Sequence, residues 1–261
     1  MLSLATQVIL PFLFSALIVI LITIIAEKYG TKIGGILGTL PSTIVIAFLF
    51  ISYNKGVEFT AEAVAVVPAE LGINLFFLFI FALLVHRSAV LAYLGSIMVW
   101  MILSFFLYVY QVTDIVISLL LYSSILFFTF VILEFYRKIP SAEKVIIHYT
   151  TLKIILRGIL AGFFIALAVL LSNLDPVLSG IFSVFPAILS STMIIFIREH
   201  GPKFAAGMAK SMIFGISSVC LYAIGIHFFY PYYGIVIGTI ISYLISALFT
   251  LLLFTLRNKI R

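Results

Sequence analysis

The residues of this chain best placed to do chemistry are two carboxylates and an amide at four-residue spacing: Glu62, Glu70 and Asn74, with Val66 completing the series. On an α-helix that spacing puts side chains on one slowly turning face. Glu70 lies about nine residues, or roughly 14 Å at 1.5 Å per residue, inside the apolar run Ala61 to Leu84. In a bilayer with a hydrocarbon core about 30 Å thick, that depth is near the midplane. An ionisable group there costs several kcal/mol to insert and by default marks a solute pathway or a proton site. The expectation is that Glu70 couples transport to a proton or cation, with Glu62 as a companion nearer the outer water. The structural alternative is a protonated Glu70 bonded to a backbone carbonyl that Pro41 or Pro68 sets free, fastening helices together.

A second constellation combines proline with small hydroxyl residues inside apolar runs. Ile33 to Ser52 reads IGGILGTLPSTIVIAFLFIS, with Thr39, Pro41, Ser42 and Thr43 at its centre. Val177 to Ile197 reads VLSGIFSVFPAILSSTMIIFI, with Ser183, Pro186 and Ser190. At an ungapped offset of 145 residues, Gly180, Ile181 and Pro186 fall opposite Gly35, Ile36 and Pro41. Proline removes a backbone hydrogen bond, and in lipid the freed carbonyl must find a partner in protein or in a water-filled cavity. Broken helices that meet at the midplane present half-helix ends to a solute. The expected substrate site is therefore Thr39, Pro41, Ser42, Thr43, Asn74, Ser183, Pro186 and Ser190. Against it stands simple close packing, for which Gly34, Gly35 and Gly38 are suited.

Other chemistries lack their residues. His86, His148, His200 and His227 have no spacing that brings two onto one helical face, so neither a metal centre nor a catalytic dyad is expected. The single cysteine, Cys220, excludes a disulfide framework and a thiolate metal site. No phosphate-binding loop or nucleophile elbow is present, so no cofactor and no enzyme activity are expected. Glu134 is expected to pair with Arg137 or Lys138. Arg157 and Lys210, a turn or two inside their spans, should snorkel outward. Tyr108, Tyr110, Tyr230, Tyr232 and Tyr233 are expected to form the outer interfacial belt.

The elements that must position these groups are membrane helices. With 64% apolar and 9% charged residues and a mean hydropathy of +1.34, the chain has too little polar surface for water. Apolar runs predict nine spans: Gln7 to Ala26, Ile33 to Ser52, Ala61 to Leu84, Ala89 to Tyr110, Ile115 to Phe135, Leu152 to Leu171, Val177 to Ile197, Phe204 to Phe229 and Tyr233 to Leu256. With nine crossings, twelve basic residues fall on one side and only Lys55 on the other. The positive-inside rule then puts the amino terminus outside and the carboxyl terminus in the cytoplasm, in what reads as a prokaryotic cytoplasmic membrane. The net charge of +6 is explained by this orientation, so no nucleic-acid partner is expected.

The offset continues through Gly56, Phe59 and Ala61 against Gly201, Phe204 and Ala206, and, two residues displaced, through Gly95, Ile97 and Phe106 against Gly238, Ile240 and Phe249. The organisation expected is a first four-helix repeat over 1–112, a linking helix and cytoplasmic loop over 113–150, and a second four-helix repeat over 151–261. Five spans separate matched helices, so the repeats are inverted. The run SGIFSVFPAILSSTMIIFIREHGPKFAAGMAKSMIFGISS, with its Gly and Phe-Pro followed by a polar turn at Gly201, resembles the GlpM-type family of small bacterial four-helix membrane proteins. The resemblance spans Leu152 to Leu256 and extends more weakly to the first half, where Leu40 replaces Phe185. It implies an architecture, a fused inverted pair of such units, and no reaction. The reading is an all-α polytopic membrane protein that acts as a carrier for an ion or small solute, its partners the lipid bilayer and that solute. A passive channel and a scaffold supporting envelope synthesis are the alternatives, and self-association into a homo-oligomer is open.

Overall fold

The computed structural model describes residues 4–140 and 149–259, with side chains described except at 29–39 and 256–259. Among these residues there are helices and short connections, and no strand. The order is α1 (Leu10–Thr39), α2 (Ser42–Lys55), α3 (Val57–Ala65), α4 (Val67–Leu84), α5 (Ala89–Val109), α6 (Ile115–Val131), α7 (Thr151–Leu171), α8 (Pro176–Ser183) and α9 (Ala187–Lys259). Single π-turns precede α1, over Ala5–Ile9, and follow α6, over Ile132–Tyr136. Among the described residues six stretches are long and apolar enough to cross a membrane, and the apolar helix Ser42–Lys55 is shorter. The protein is all-α, and its long apolar helices are those of an integral membrane protein.

Helix boundaries differ from the nine expected spans in several places. The helix of α1 runs through the charged segment near Lys28 and ends only at Thr39, because no proline interrupts it before Pro41. The 73 residues of α9 cover two expected spans and the second half of a third, and the backbone leaves helical angles inside it at Gly201 (φ 80°, ψ 176°) and Gly234 (φ 72°, ψ 179°). Gly56, between α2 and α3, has the same geometry (φ 90°, ψ 174°) and stands 145 residues before Gly201. Only glycine adopts these angles readily.

Pro68 explains a further departure. It lacks the N–H that would bond the Val64 carbonyl, so the regular hydrogen bonding is interrupted at Val66, between α3 and α4. The polar series from Glu62 to Asn74 is thereby split: Glu62 is exposed, whereas Glu70 and Asn74 are buried.

The centre of the molecule is α4, which packs on α5, α6 and α9 and is buried along nearly its whole length. Around it, α1 lies along α7 at glycine-limited distance. A Cβ on Gly158 would meet the Ala16 carbonyl oxygen at 3.0 Å, and one on Gly162 the Phe12 oxygen at 2.6 Å. This Gly-x-x-x-Gly contact is the small-residue packing that membrane helices use. Gly34, Gly35 and Gly38, expected in that role, lie outside the described side chains. The tightest approach joins α8 to α3, where a Cβ on Gly180 would stand 2.1 Å from the Ala63 oxygen.

Candidate functional site

Two breaks in apolar helices face one another across a cavity of about 140 Å³. The first break is Leu40-Pro41, between α1 and α2, and the second is Val184 to Pro186, between α8 and α9. They are built alike. The Ser42 N–H donates to the Leu40 carbonyl at 2.8 Å, and the Ala187 N–H to the Phe185 carbonyl at 2.7 Å. One turn on, the Val45 N–H reaches the Pro41 carbonyl at 3.3 Å and the Ser190 N–H the Pro186 carbonyl at 2.8 Å. Each bond has its counterpart 145 residues away. Proline fixes its own φ and displaces the preceding residue from helical angles, so each Pro ends one helix and starts the next.

Of the residues expected at a site, Pro41, Ser42, Thr43, Asn74, Ser183 and Pro186 line this cavity. Ser190 is buried but lies beyond the lining, and its Oγ has no partner. Thr39 ends α1, and its side chain lies outside the described ones. Asn74 is 2% exposed; its Nδ2 donates to the Val184 carbonyl at 2.8 Å, and its Oδ1 is left without a partner. The amide of α4 thus satisfies a carbonyl that the second break releases. Ser183 Oγ is spent on the Gly180 carbonyl at 2.6 Å.

Glu70 does not reach the cavity. It is fully buried and accepts a 2.9 Å hydrogen bond from Ser104 Oγ of α5, rather than bonding a carbonyl freed by proline. The Trp100 indole lies beside the same carboxyl, yet neither Trp100 Nε1 nor Glu70 Oε2 has a partner at hydrogen-bond geometry. Trp100 also meets Phe185 edge-on, their ring centres 4.8 Å apart, and Phe185 stacks on Phe164 at 3.5 Å. Phe164 and Phe185 line the cavity, so one indole separates the buried carboxyl from it. These aromatic residues, with Leu71 of α4, were not distinguishable among 26 phenylalanines and many leucines; the Phe-Pro pair at Phe185 was the one local signal.

The interior cations depart from the snorkelling expected of them. Arg157 is 9% exposed; Nη1 donates to Thr192 Oγ1 at 2.8 Å, the guanidinium lies 5.4 Å from the Tyr149 ring centre, and Nε has no partner. Burial pushes the Tyr149 phenol above its ordinary value, so it offers Arg157 a neutral ring. Lys210 is 8% exposed and holds Glu134 at 2.6 Å and the Ile139 carbonyl at 2.5 Å. Glu134 therefore pairs with Lys210, and not with Arg137 or Lys138: a buried ammonium needs the carboxylate more than a solvated cation does. Tyr230 also leaves the expected belt. It is 1% exposed and its hydroxyl meets Thr239 Oγ1 at 2.7 Å, whereas Tyr110, Tyr232 and Tyr233 are exposed.

Among the described residues no group of three or more His, Cys, Asp or Glu side chains could hold a metal. His227 Nδ1 lies 2.9 Å from the Ala61 carbonyl oxygen, a helix-to-helix contact. His148 lies outside the described residues. Compared with protein-family models, curated proteins and solved structures, the chain matches none.

Proposed function

We propose that the protein is a secondary carrier for a small solute, with its site in the cavity between the two proline breaks. The observation that carries this reading is that both breaks, from distant parts of the chain and with like hydrogen bonding, open onto one small cavity capped by an interior amide. Irregular backbone at membrane depth is tolerated where it lines such a space. The reading includes nine spans arranged as two inverted four-helix repeats, 1–112 and 151–261, around a linking segment, each resembling a GlpM-type unit. The matched glycine geometry at Gly56 and Gly201 supports it. The amino terminus is taken as outside and the carboxyl terminus as cytoplasmic.

In this reading Glu70 is the coupling carboxyl and acts on the cavity through Trp100 and Phe185, while Glu62 serves its outer approach. A fastening role for Glu70 is the competing reading, favoured by the 2.9 Å bond from Ser104. Proteoliposomes loaded with a pH dye and offered small acids, sugars and monovalent salts test transport itself. A carrier moves protons only when its solute is present. Proton or ion current with no solute indicates a channel, and no flux with any solute refutes transport.

A further inference from the structure

We propose that the cavity takes a small carboxylate carrying an amino or hydroxyl group beside the acid; this deepens, and rests on, the carrier reading above. Two helices begin at the cavity wall. Ser42, Thr43 and Ile44 open α2, and Ala187, Ile188 and Leu189 open α9, and all six line the space. Each helix is started by a proline, whose ring offers no acceptor, and no side chain caps α2. The Ser42 and Ala187 N–H groups are already spent on the Leu40 and Phe185 carbonyls, so the first-turn donors that remain are those of Thr43 and Ile44 and of Ile188 and Leu189; with the positive end of each helix dipole they favour an anion.

The side chains agree with that sign. Among the described residues no carboxylate lines the cavity. One turn before Ala161, a lining residue of α7, stands Arg157, buried and with no carboxylate partner among the described residues. Two helices also end at the cavity, and their carbonyl ends would suit a cation. At the second break, however, the Val184 carbonyl is already taken by Asn74 Nδ2.

Asn74 supplies the independent sign of a ligand. Its orientation is set by the Val184 carbonyl, which requires the NH₂ group on that side. The Oδ1 that remains is a buried acceptor with no donor, on a residue that lines the cavity. Buried acceptors are normally satisfied, so the missing donor belongs to what binds there. A simple fatty acid has no such donor; an amino or hydroxy acid has one next to its carboxylate. At about 140 Å³, against roughly 300 to 1,000 Å³ for pockets that take drug-sized ligands, the cavity suits a small solute. The phenyl walls at Phe164 and Phe185 suit a short apolar substituent.

The test uses the purified full chain and four probes of similar size: alanine, lactate, propionate and alaninamide. Alanine or lactate is expected to raise Tm by about 5 °C at saturation, propionate by clearly less, and alaninamide not at all. In Asn74→Ala the advantage of alanine or lactate over propionate should fall about tenfold in affinity, with propionate itself unchanged. The ranking in the unaltered protein stands even if that variant does not fold. Stabilisation by alaninamide but not by alanine or lactate overturns the acid assignment, as does no response to any of the acids. Solute-dependent proton flux with some other compound then leaves the carrier reading intact, whereas no flux with any solute removes both.

Discussion

Asn74 Nδ2 donates to the Val184 carbonyl across 2.8 Å, so the helix that carries Glu70 is tied to the break in the other half of the chain. A helix interrupted in lipid leaves carbonyls that water cannot reach, and here one interior amide meets that need. The same bond fixes which face of Asn74 is left for the cavity.

The first prediction follows from that bond. Asn74→Leu keeps the bulk but leaves the Val184 carbonyl bare, and should cost about 1 to 2 kcal/mol in reversible unfolding from detergent. Ser183→Ala, whose hydroxyl bonds only within its own turn, should cost less. Equal losses would show that the tie contributes nothing beyond packing.

For Glu70, Gln keeps the shape and the acceptor that Ser104 uses but cannot titrate. If Glu70 couples, Glu70→Gln should leave a folded protein that binds its solute and has lost the pH dependence of flux in proteoliposomes. Glu62→Gln, altering an exposed residue, should change little. Proton-dependent flux retained in full by Glu70→Gln would end the coupling role, and Glu70→Leu would then be expected to destabilise by about 1 to 3 kcal/mol through Ser104 left unpaired.

Two kinds of glycine can be told apart by alanine substitution. Gly201→Ala meets no atom within 4 Å, so its penalty is conformational alone, about 1 to 3 kcal/mol at φ 80°. Gly180→Ala brings Cβ to 2.1 Å from the Ala63 oxygen, which must force α8 away from α3. Thermal unfolding should therefore show the greater loss for Gly180→Ala.

The Lys210–Glu134 pair is suited to a double-mutant cycle. Glu134→Ala leaves a buried ammonium with only the Ile139 carbonyl, and should cost about 1 to 3 kcal/mol. Lys210→Met should cost less, because Glu134 is partly exposed and can turn to water. A coupling energy near zero would mean that the two charges stand side by side without effect.

Orientation is testable by labelling. Cysteines placed at Lys55 and Asp175 should react with an impermeant maleimide on intact cells, and one at Arg87 only after the membrane is opened. The reverse pattern would invert the protein, and mixed labelling would remove the nine-span reading.

Pro41, Pro186 and Asn74 could be read from the sequence because each contradicts its oily surroundings, and the cavity gathers all three. The 145-residue offset was visible for the same reason: glycine and proline mark backbone geometry, and the two breaks share theirs. Charge partners were not legible. Glu134 has two cations close by in sequence but pairs with Lys210, which is distant in sequence and brought near by packing. Tyr230 looked interfacial because tyrosines cluster around it, yet whether a tyrosine faces lipid headgroups or Thr239 depends on helix rotation, which an almost uniformly apolar run does not encode. The phenyl walls were hidden likewise, since phenylalanine is what either environment selects.

The near-complete burial of the stretch Val57–Leu84 bears on how the protein is made. This stretch leaves the ribosome before α5, α6 and α9, the helices that later enclose it. Until they arrive, Glu70 has no Ser104 and Asn74 no Val184, so both must be sheltered at the insertion site or lie in lipid unsatisfied. Chains truncated after α6 should therefore be kept by the insertion machinery or degraded, and release into the bilayer should await the second half of the sequence.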